Sequence, residues 1–512
     1  MKRIYIALMA LGASLPMAAQ ESYENMKIAV EDLNGSARYV GMGGALGALG
    51  ADMSVISWNP AGIGLYRKND IAMTFGGTWG KSRIDQYNRG KGTFDQAGFV
   101  YNIQTGSESC PYVNFAFNFQ KKINFNHNFY AVGDNLGGLS QMDQLAELTY
   151  WDNGQTNLPG LAIERNMLES AVDENGETYY YNYYASYANK YTHHSEGSLQ
   201  AFDFNLSTNI SNRAFLGLTV GLDNMRYRGM SLYEESGDGD YALSCNYDIS
   251  GIGVNVKLGT IIRPIESSSL RFGLTVETPT WYNLRSSTWF DFGYTLDDNK
   301  AWEASFKFSL RSPWKVRASL GSTIGSAFAW DVDYEYAAYA GLGMSWPDES
   351  GYYHVSSEST KDVAMNQLTR HTLRGTHTLR AGIEANATKN LAFRLGYNLS
   401  TSAYKKNISF DQYNLNSRAM DYATGTSYMR MGTTNILTLG IGYHTKSFYA
   451  DLAYKIRNQS ADFYAFDTSF TDAESGDPVF LNNAPELVGA TIDPVDVDLT
   501  RHAVTCTLGF KF

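Results

Sequence analysis

The chain has 512 residues and a net charge of −11, with 44% hydrophobic and 14% aromatic residues. Its three cysteines exclude a disulfide-rich scaffold, and its acidic balance argues against a nucleic-acid partner, whose phosphates would repel it. The many aromatic residues exclude an intrinsically disordered chain.

A secretory signal peptide is predicted at residues 1–19. Lys2 and Arg3 form a positively charged n-region, residues 4–17 form a mainly apolar h-region, and small residues precede Gln20. This order is typical of a segment that signal peptidase removes. We therefore expect an exported protein of a Gram-negative cell.

Residues 20–69 do not alternate between apolar and polar side chains. They contain a glycine-rich run at 41–50, but the βαβ context of a dinucleotide-binding loop is missing. Small residues at positions 41, 44, 47 and 50 instead predict close packing against a wall. Asn59-Pro60 is expected to interrupt any helix, because proline disfavours the α conformation in the residue before it.

From residue 70 onward, apolar and polar residues alternate along segments of about 10 to 20 residues. These segments are longer than usual soluble strands, and aromatic residues stand at their ends, as in outer-membrane barrels. A soluble β-sandwich is the less favoured alternative. Six tight turns are predicted at 105–111, 210–213, 263–268, 325, 387–390 and 445–446.

Seven longer connections alternate with these turns, including 133–197 and 231–240. Thirteen connections join fourteen strands. Because this number is even, the start of the first strand and the end of the last strand lie on the same side of the membrane, the side of the short turns. The predicted fold is all-β: a 14-stranded antiparallel transmembrane β-barrel over residues 70–512, with residues 20–69 forming a hatch, or plug, in the lumen.

Two motifs carry a resemblance to a known family. The run from Gly35 to Ala45 and the run from Trp58 to Gly62 resemble the N-terminal hatch of the FadL family. The resemblance implies an outer-membrane channel for long-chain fatty acids and other hydrophobic compounds. It implies hatch or ligand-gating roles for Gly41, Gly43, Gly44, Asn59, Pro60 and Ala61.

The same resemblance implies which partners the protein has and which route its substrate takes. The expected partners are outer-membrane lipid, a hydrophobic small-molecule substrate and the outer-membrane assembly machinery, with no nucleic acid. Substrate would first be held by helices in the long outer connections and would leave through a gap in the wall. In the connection 133–197, Ser140 is expected to cap one helix that carries Leu145, Leu148 and Trp151, while Leu161, Met167, Leu168 and Val172 are expected to line another. The alternative is that these apolar residues pack the loop itself.

Charged residues of both signs are predicted on the inward faces of the strands. The candidates are Asp331, Asp333, Arg380, Arg394 and Arg457. They could form a network that grips the hatch, or one arginine could bind a fatty-acid carboxylate through two hydrogen bonds. A third interpretation is a polar, water-filled lumen, which any such barrel has.

Enzymatic motifs do not occur in the sequence. Neither Gly-x-Ser-x-Gly nor His-Glu-x-x-His is present, so no catalytic residue, metal or cofactor is expected. His193 and His194 are interpreted as a solvated pair in a loop. Two alternatives to a hydrophobic-substrate channel stay open: a general diffusion porin, and an outer-membrane scaffold or secretion-associated partner protein.

Overall fold

The computed structural model describes residues 26–80, 90–152, 157–172, 176, 178–294, 301–347, 359–406, 417–466 and 492–512. The predicted signal peptide lies outside these ranges, as do residues 20–25 of the predicted hatch. Within the described ranges, no helix is both long and apolar enough to cross a lipid bilayer.

Fourteen antiparallel strands form the barrel, and four of them continue after a short interruption. In chain order they are β1 (Asp70–Gly80), β2 (Lys91–Gln104), β3 (Tyr112–Asn124, then His127–Gly133), β4 (Ser186–Ile210), β5 (Ala214–Gly237), β6 (Tyr241–Ile262), β7 (Arg271–Glu277, then Trp281–Phe292), β8 (Trp302–Arg311, then Lys315–Ile324), β9 (Phe328–Ala337, then Gly343–Pro347), β10 (Thr376–Asn386), β11 (Leu391–Ser400), β12 (Tyr428–His444), β13 (Phe448–Tyr464) and β14 (Arg501–Lys511).

Each strand pairs with its successor, and β14 pairs with β1 along their whole lengths, from Asp70↔Lys511 to Gly80↔Arg501. This last pairing closes the barrel. The six predicted tight turns all lie between consecutive strands. The predicted 14-stranded antiparallel barrel is therefore confirmed.

The two faces of the wall differ as the alternation predicts. In β9, the side chains of Asp331 and Asp333 point inward and are buried, whereas Val332 and Tyr334 are 36% and 40% exposed. The same pattern runs through the other strands, where large apolar side chains remain exposed on the outer face. The wall thus presents an apolar belt outward and a polar surface to the lumen.

Parts of two predicted long connections are in fact strand. Strands β4, β5 and β6 have 25, 24 and 22 residues; β4 takes up residues 186–197 of the predicted loop 133–197, and β5 takes up residues 231–237 of the predicted loop 231–240. His193 and His194 lie on β4, and His193 is 4% exposed, so the prediction of a solvated loop pair was wrong. Outside a bilayer, ladder hydrogen bonds hold strands together without an apolar face, so the alternation that marks a membrane strand disappears there.

Three neighbouring strands are interrupted at the same level. Pro279 and Pro313 interrupt β7 and β8, since proline has no N–H for the ladder, and a 3₁₀ turn (Tyr339–Gly341) interrupts β9. Hydrogen bonds still bridge the break, from Ser312 N to Thr280 O at 3.0 Å and from Ala338 N to Trp314 O at 3.2 Å.

Helices lie in the long connections. They are α2 (Gln141–Asp152), α3 (Asn157–Glu164) and α4 (Val363–Thr372), joined by a 3₁₀ turn at Arg418–Tyr422 and a small hairpin of Glu169–Val172 with Thr178–Tyr181. A helical turn at residues 26–29 and a further helix, α1 (Ala37–Gly41), precede the barrel. Together with the upper strand residues, the outer helices build a large apolar cluster.

The predicted helix cap is present. Met142 N donates to Ser140 Oγ at 3.0 Å, and Leu145 and Leu148 are buried in the outer cluster. The second predicted stripe was wrong in part, because α3 ends at Glu164 and only Leu161 lies on it. Met167 and Leu168 follow that helix, and Val172 ends a strand of the hairpin.

Candidate functional site: the lumenal segment and its cavities

Residues 26–69, here called the lumenal segment, pack against the inward faces of the strands. The segment contains α1 and two 3₁₀ turns, Met53–Ser57 and Pro60–Leu65. Ser36 caps α1 through its hydroxyl, which accepts from Tyr39 N at 3.0 Å. Short helical turns with side-chain caps satisfy backbone groups of the segment, and apolar side chains such as Met42, Leu46 and Ile56 form a buried cluster within it.

Glycines of the wall make room for this segment. At Gly217, Gly382 and Gly396, a Cβ atom would come within 2.1 to 2.3 Å of the backbone atoms of Pro60, Met42 and Gly43. Gly259, Gly273 and Gly440 likewise face Asn59, Gly47 and Gly41. Six inward glycines, from β5, β6, β7, β10, β11 and β12, thus form a glycine belt around the segment.

The three predicted glycines of the segment all lie against the wall. Gly41 faces Gly440, and Gly43 faces the backbone of Tyr397. Gly44 lies beside Arg380. Gly43 and Gly44 have φ values of +66° and +79°, so a side chain at either position would be strained as well as crowded.

The Asn59-Pro60-Ala61 motif fastens the segment. The Asn59 side chain accepts from Ala61 N at 3.2 Å, and it donates to the carbonyls of Gly47 at 2.7 Å and Thr260 at 3.3 Å. The predicted interruption at Asn59-Pro60 is present: Asn59 is extended, with φ −136° and ψ 101°, and separates the two 3₁₀ turns. Pro60 is the first residue of the second turn, where its missing N–H has no cost.

The inward carboxylates of β9 bind the backbone of the same segment. Asp331 accepts hydrogen bonds from Ala48 N at 3.0 Å and Leu49 N at 2.8 Å, and Asp333 accepts from Gly47 N at 3.1 Å. Three consecutive backbone donors are therefore satisfied by two wall carboxylates.

A tryptophan of the segment is held between two wall arginines. The guanidinium carbon of Arg380 lies 3.4 Å from the centre of the Trp58 ring, and that of Arg317 lies 4.4 Å from it. Arg380 also donates to the Tyr39 hydroxyl at 2.6 Å. Arg317 was missed from the sequence, although it pairs with Glu277 and Glu335 at 2.6 Å each and is almost fully buried.

Arg394 is enclosed by carboxylates. Its guanidinium contacts Glu384 and Asp451 at 2.6 Å each, and its side chain is 0% exposed. Arg38 of the lumenal segment reaches the same Glu384 at 3.0 Å. The arginine therefore belongs to a buried ionic cluster rather than to an open binding surface.

Arg457 lies in a basic corner of the lumen. It pairs with Asp32 of the lumenal segment at 2.5 Å, and Arg501 and Lys455 stand nearby. Burial alone would raise the pKa of Asp32, but Arg457, Arg501 and Lys455 together hold this pKa below its usual value.

Two cavities lie on opposite sides of the lumenal segment. The outer cavity, toward the long connections, has about 1530 Å³ of empty space, partly open to solvent, and is lined by Val30, Phe125 and Met429 among others. The inner cavity, toward the short turns, has about 1420 Å³ and is lined by polar residues such as Asp52 and His444. The two cavities share no lining residue.

No protein-family profile matches the chain, and no curated protein sequence matches it. Solved structures match over 94% of its length. A Pseudomonas aeruginosa FadL homologue is 10% identical over 99% of that chain, with a TM-score of 0.54. The Ralstonia pickettii toluene transporter TbuX and the Pseudomonas putida toluene transporter TodX, also 10% identical, have TM-scores of 0.49 and 0.46 over 99% and 100% of their chains. The likeness to the FadL homologue shows that the two chains share the barrel fold.

Proposed function

We propose that the protein is an outer-membrane channel for the passive uptake of hydrophobic small molecules such as long-chain fatty acids. The observation that carries the proposal is the outer cavity, which has the lumenal segment as its floor and combines apolar and aromatic side chains with polar and charged ones. A cavity of this kind suits a small ligand whose hydrocarbon part contacts the apolar side chains and whose polar group contacts the others. The basic corner at its edge, with Arg457 and Arg501, suits the carboxylate of such a ligand.

Passage through the barrel requires the lumenal segment to move. The two cavities are separate, and the glycine belt, the β9 carboxylates and the Trp58 stack all hold the segment between them. A general diffusion porin is disfavoured for this reason, because it needs a continuous aqueous path. The apolar outer belt and the predicted signal peptide support the outer membrane as the location.

Ligand capture and uptake test the proposal together. Protein extracted gently from its membrane is analysed by native mass spectrometry, and cells that express it are assayed for uptake of radiolabelled oleate. Val30 is 36% exposed inside the outer cavity, so Val30→Trp places a bulky ring in the cavity without disturbing a packed core. Val363, at the start of α4 and 62% exposed, does not line this cavity and provides the matched control Val363→Trp.

We expect a bound apolar molecule in the native protein, with both binding and uptake reduced in Val30→Trp and unchanged in the control. Uptake no higher than in cells without the protein would refute the channel, and equal uptake by all three proteins would refute the outer cavity as its binding site. A stoichiometric protein partner without any small molecule would instead establish the scaffold function.

A further inference from the structure

The wall of the outer cavity carries a row of neutral polar side chains. Thr378 of β10 is paired with Ser400 of β11, Ser400 with Thr434 of β12, and Thr434 with Gln459 of β13. All four side chains line the outer cavity, and the hydroxyls of Thr378 and Ser400 lie 2.8 Å apart. We call these four residues the polar row. It spans four adjacent strands without a charged group.

Hydrogen-bonding capacity remains free beside this row. Thr434 makes no side-chain hydrogen bond with any described residue, and neither does Asn398, which lies two residues before Ser400 and also lines the cavity. Asn398 is only 3% exposed. Its amide lines the cavity, where a ligand could supply a hydrogen-bond partner.

The opposite side of the same cavity is apolar and aromatic. Phe125 packs against Tyr227 with ring centres 4.8 Å apart, and Phe129 packs against His193 at 5.0 Å. Within the described chain, the buried Nδ1 atom of His193 also has no hydrogen-bond partner. The cavity thus has an aromatic side on β3 to β5 and a polar side on β10 to β13, where the neutral polar row lies between Arg380 of β10 and Arg457 of β13.

A ligand with a saturated hydrocarbon chain would match the aromatic side of the cavity but not the polar side. It would remove water from the polar row and from Asn398 without replacing the lost hydrogen bonds, which weakens binding. Hydroxyl or carbonyl oxygens on the ligand would replace those bonds, while its hydrocarbon would lie against the aromatic side.

We infer that the outer cavity selects oxygenated amphiphiles, apolar molecules that carry hydroxyl or carbonyl oxygens along the chain or ring. The inference rests on the proposed function and specifies its substrate class. The oxygens would bond to Asn398 and to the polar row, and the hydrocarbon face would contact Phe125 and Phe129.

Three ligands with the same chain length test the inference: stearate, 12-hydroxystearate and 9,10-dihydroxystearate. Their dissociation constants are measured on the full-length mature protein in lipid nanodiscs. The variants are Asn398→Leu and Thr434→Val, each close in size to the native residue. Thr433→Val is the matched control, because Thr433 is the adjacent residue of β12, is exposed and does not line the cavity.

We expect each added hydroxyl that finds a partner to tighten binding about fivefold. The preference for hydroxylated ligands should shrink in Asn398→Leu and Thr434→Val and persist in Thr433→Val. Stearate binding as tightly as the hydroxylated acids would overturn the inference and leave the channel intact. If none of the three acids binds, the proposed function fails together with the inference.

Discussion

Replacing one glycine of the belt should loosen the lumenal segment while leaving the barrel closed. A Cβ atom on Gly396 would lie 2.1 Å from the backbone nitrogen of Gly43, so reaching an ordinary contact of 3.4 Å requires a displacement of about 1.3 Å. The obstacle is backbone on both sides, and no side chain can rotate away. Overpacking of this kind typically costs about 1–3 kcal/mol, which raises the population of the displaced segment about 5- to 150-fold.

Hydrogen exchange measures this population directly. Amides in peptides covering residues 36–50 should lose protection in Gly396→Ala by that factor, since exchange follows local opening. Gly92→Ala is the control, because a Cβ atom there meets nothing within 4 Å. The folded barrel should still migrate as a compact, heat-modifiable band in both variants. Unchanged exchange in Gly396→Ala would refute the idea that the glycine belt holds the segment in place.

Three further predictions concern single side chains. Asp331→Ala leaves two backbone N–H groups of the lumenal segment without acceptors, at a cost of about 1–3 kcal/mol each, and should accelerate their exchange in the same experiment. Arg394→Ala removes the arginine that Glu384 and Asp451 share, leaving Glu384 with Arg38 alone, and should destabilise the protein by about 3–5 kcal/mol in thermal unfolding, with stearate affinity unchanged. Lost affinity at intact stability would restore a headgroup role. Burial raises the pKa of Asp143, near the start of α2, to about 7, against about 3.9 in an unfolded chain, so the folded state holds this proton more tightly. Helix stability should therefore fall as the pH rises from about 4 to about 7 and stay level above, as measured by proteolysis of α2, and Asp143→Asn should abolish the change.

The strands could be predicted because the bilayer imposes a pattern on the sequence. Lipid requires an apolar outer face, so residues such as Leu395 and Phe393 alternate with Arg394 and mark β11 without any structural knowledge. The tight turn at 387–390 then fixes the pairing, and it places Glu384 opposite Arg394. That contact follows from a short hairpin alone.

Contacts made by barrel closure and by the lumenal segment could not be predicted in this way. Asp32 and Arg457 meet across 425 positions of sequence, and no periodic pattern indicates such a pair. The wall glycines gave no signal either, because a glycine at an inward position looks like any other small residue in an alternating strand. The polar row was missed for a related reason, since serine and threonine on an inward face fit an ordinary aqueous lumen.

The unequal heights of the strands make the two halves of the barrel mouth mechanically different. At a rise of ~3.3 Å per residue and a tilt of ~40°, β4 reaches roughly 60 Å, whereas β10 and β11 reach only ~25–28 Å, about the thickness of the apolar band. Above the bilayer, one half is therefore a stiff ladder of hydrogen-bonded strands. The other half is formed by α4 and the turn Arg418–Tyr422, which are held by side-chain packing in the outer apolar cluster. The mouth of this barrel is thus built from a strand ladder on one side and from packed helices on the other, and the polar row begins on the strands that the helical side joins.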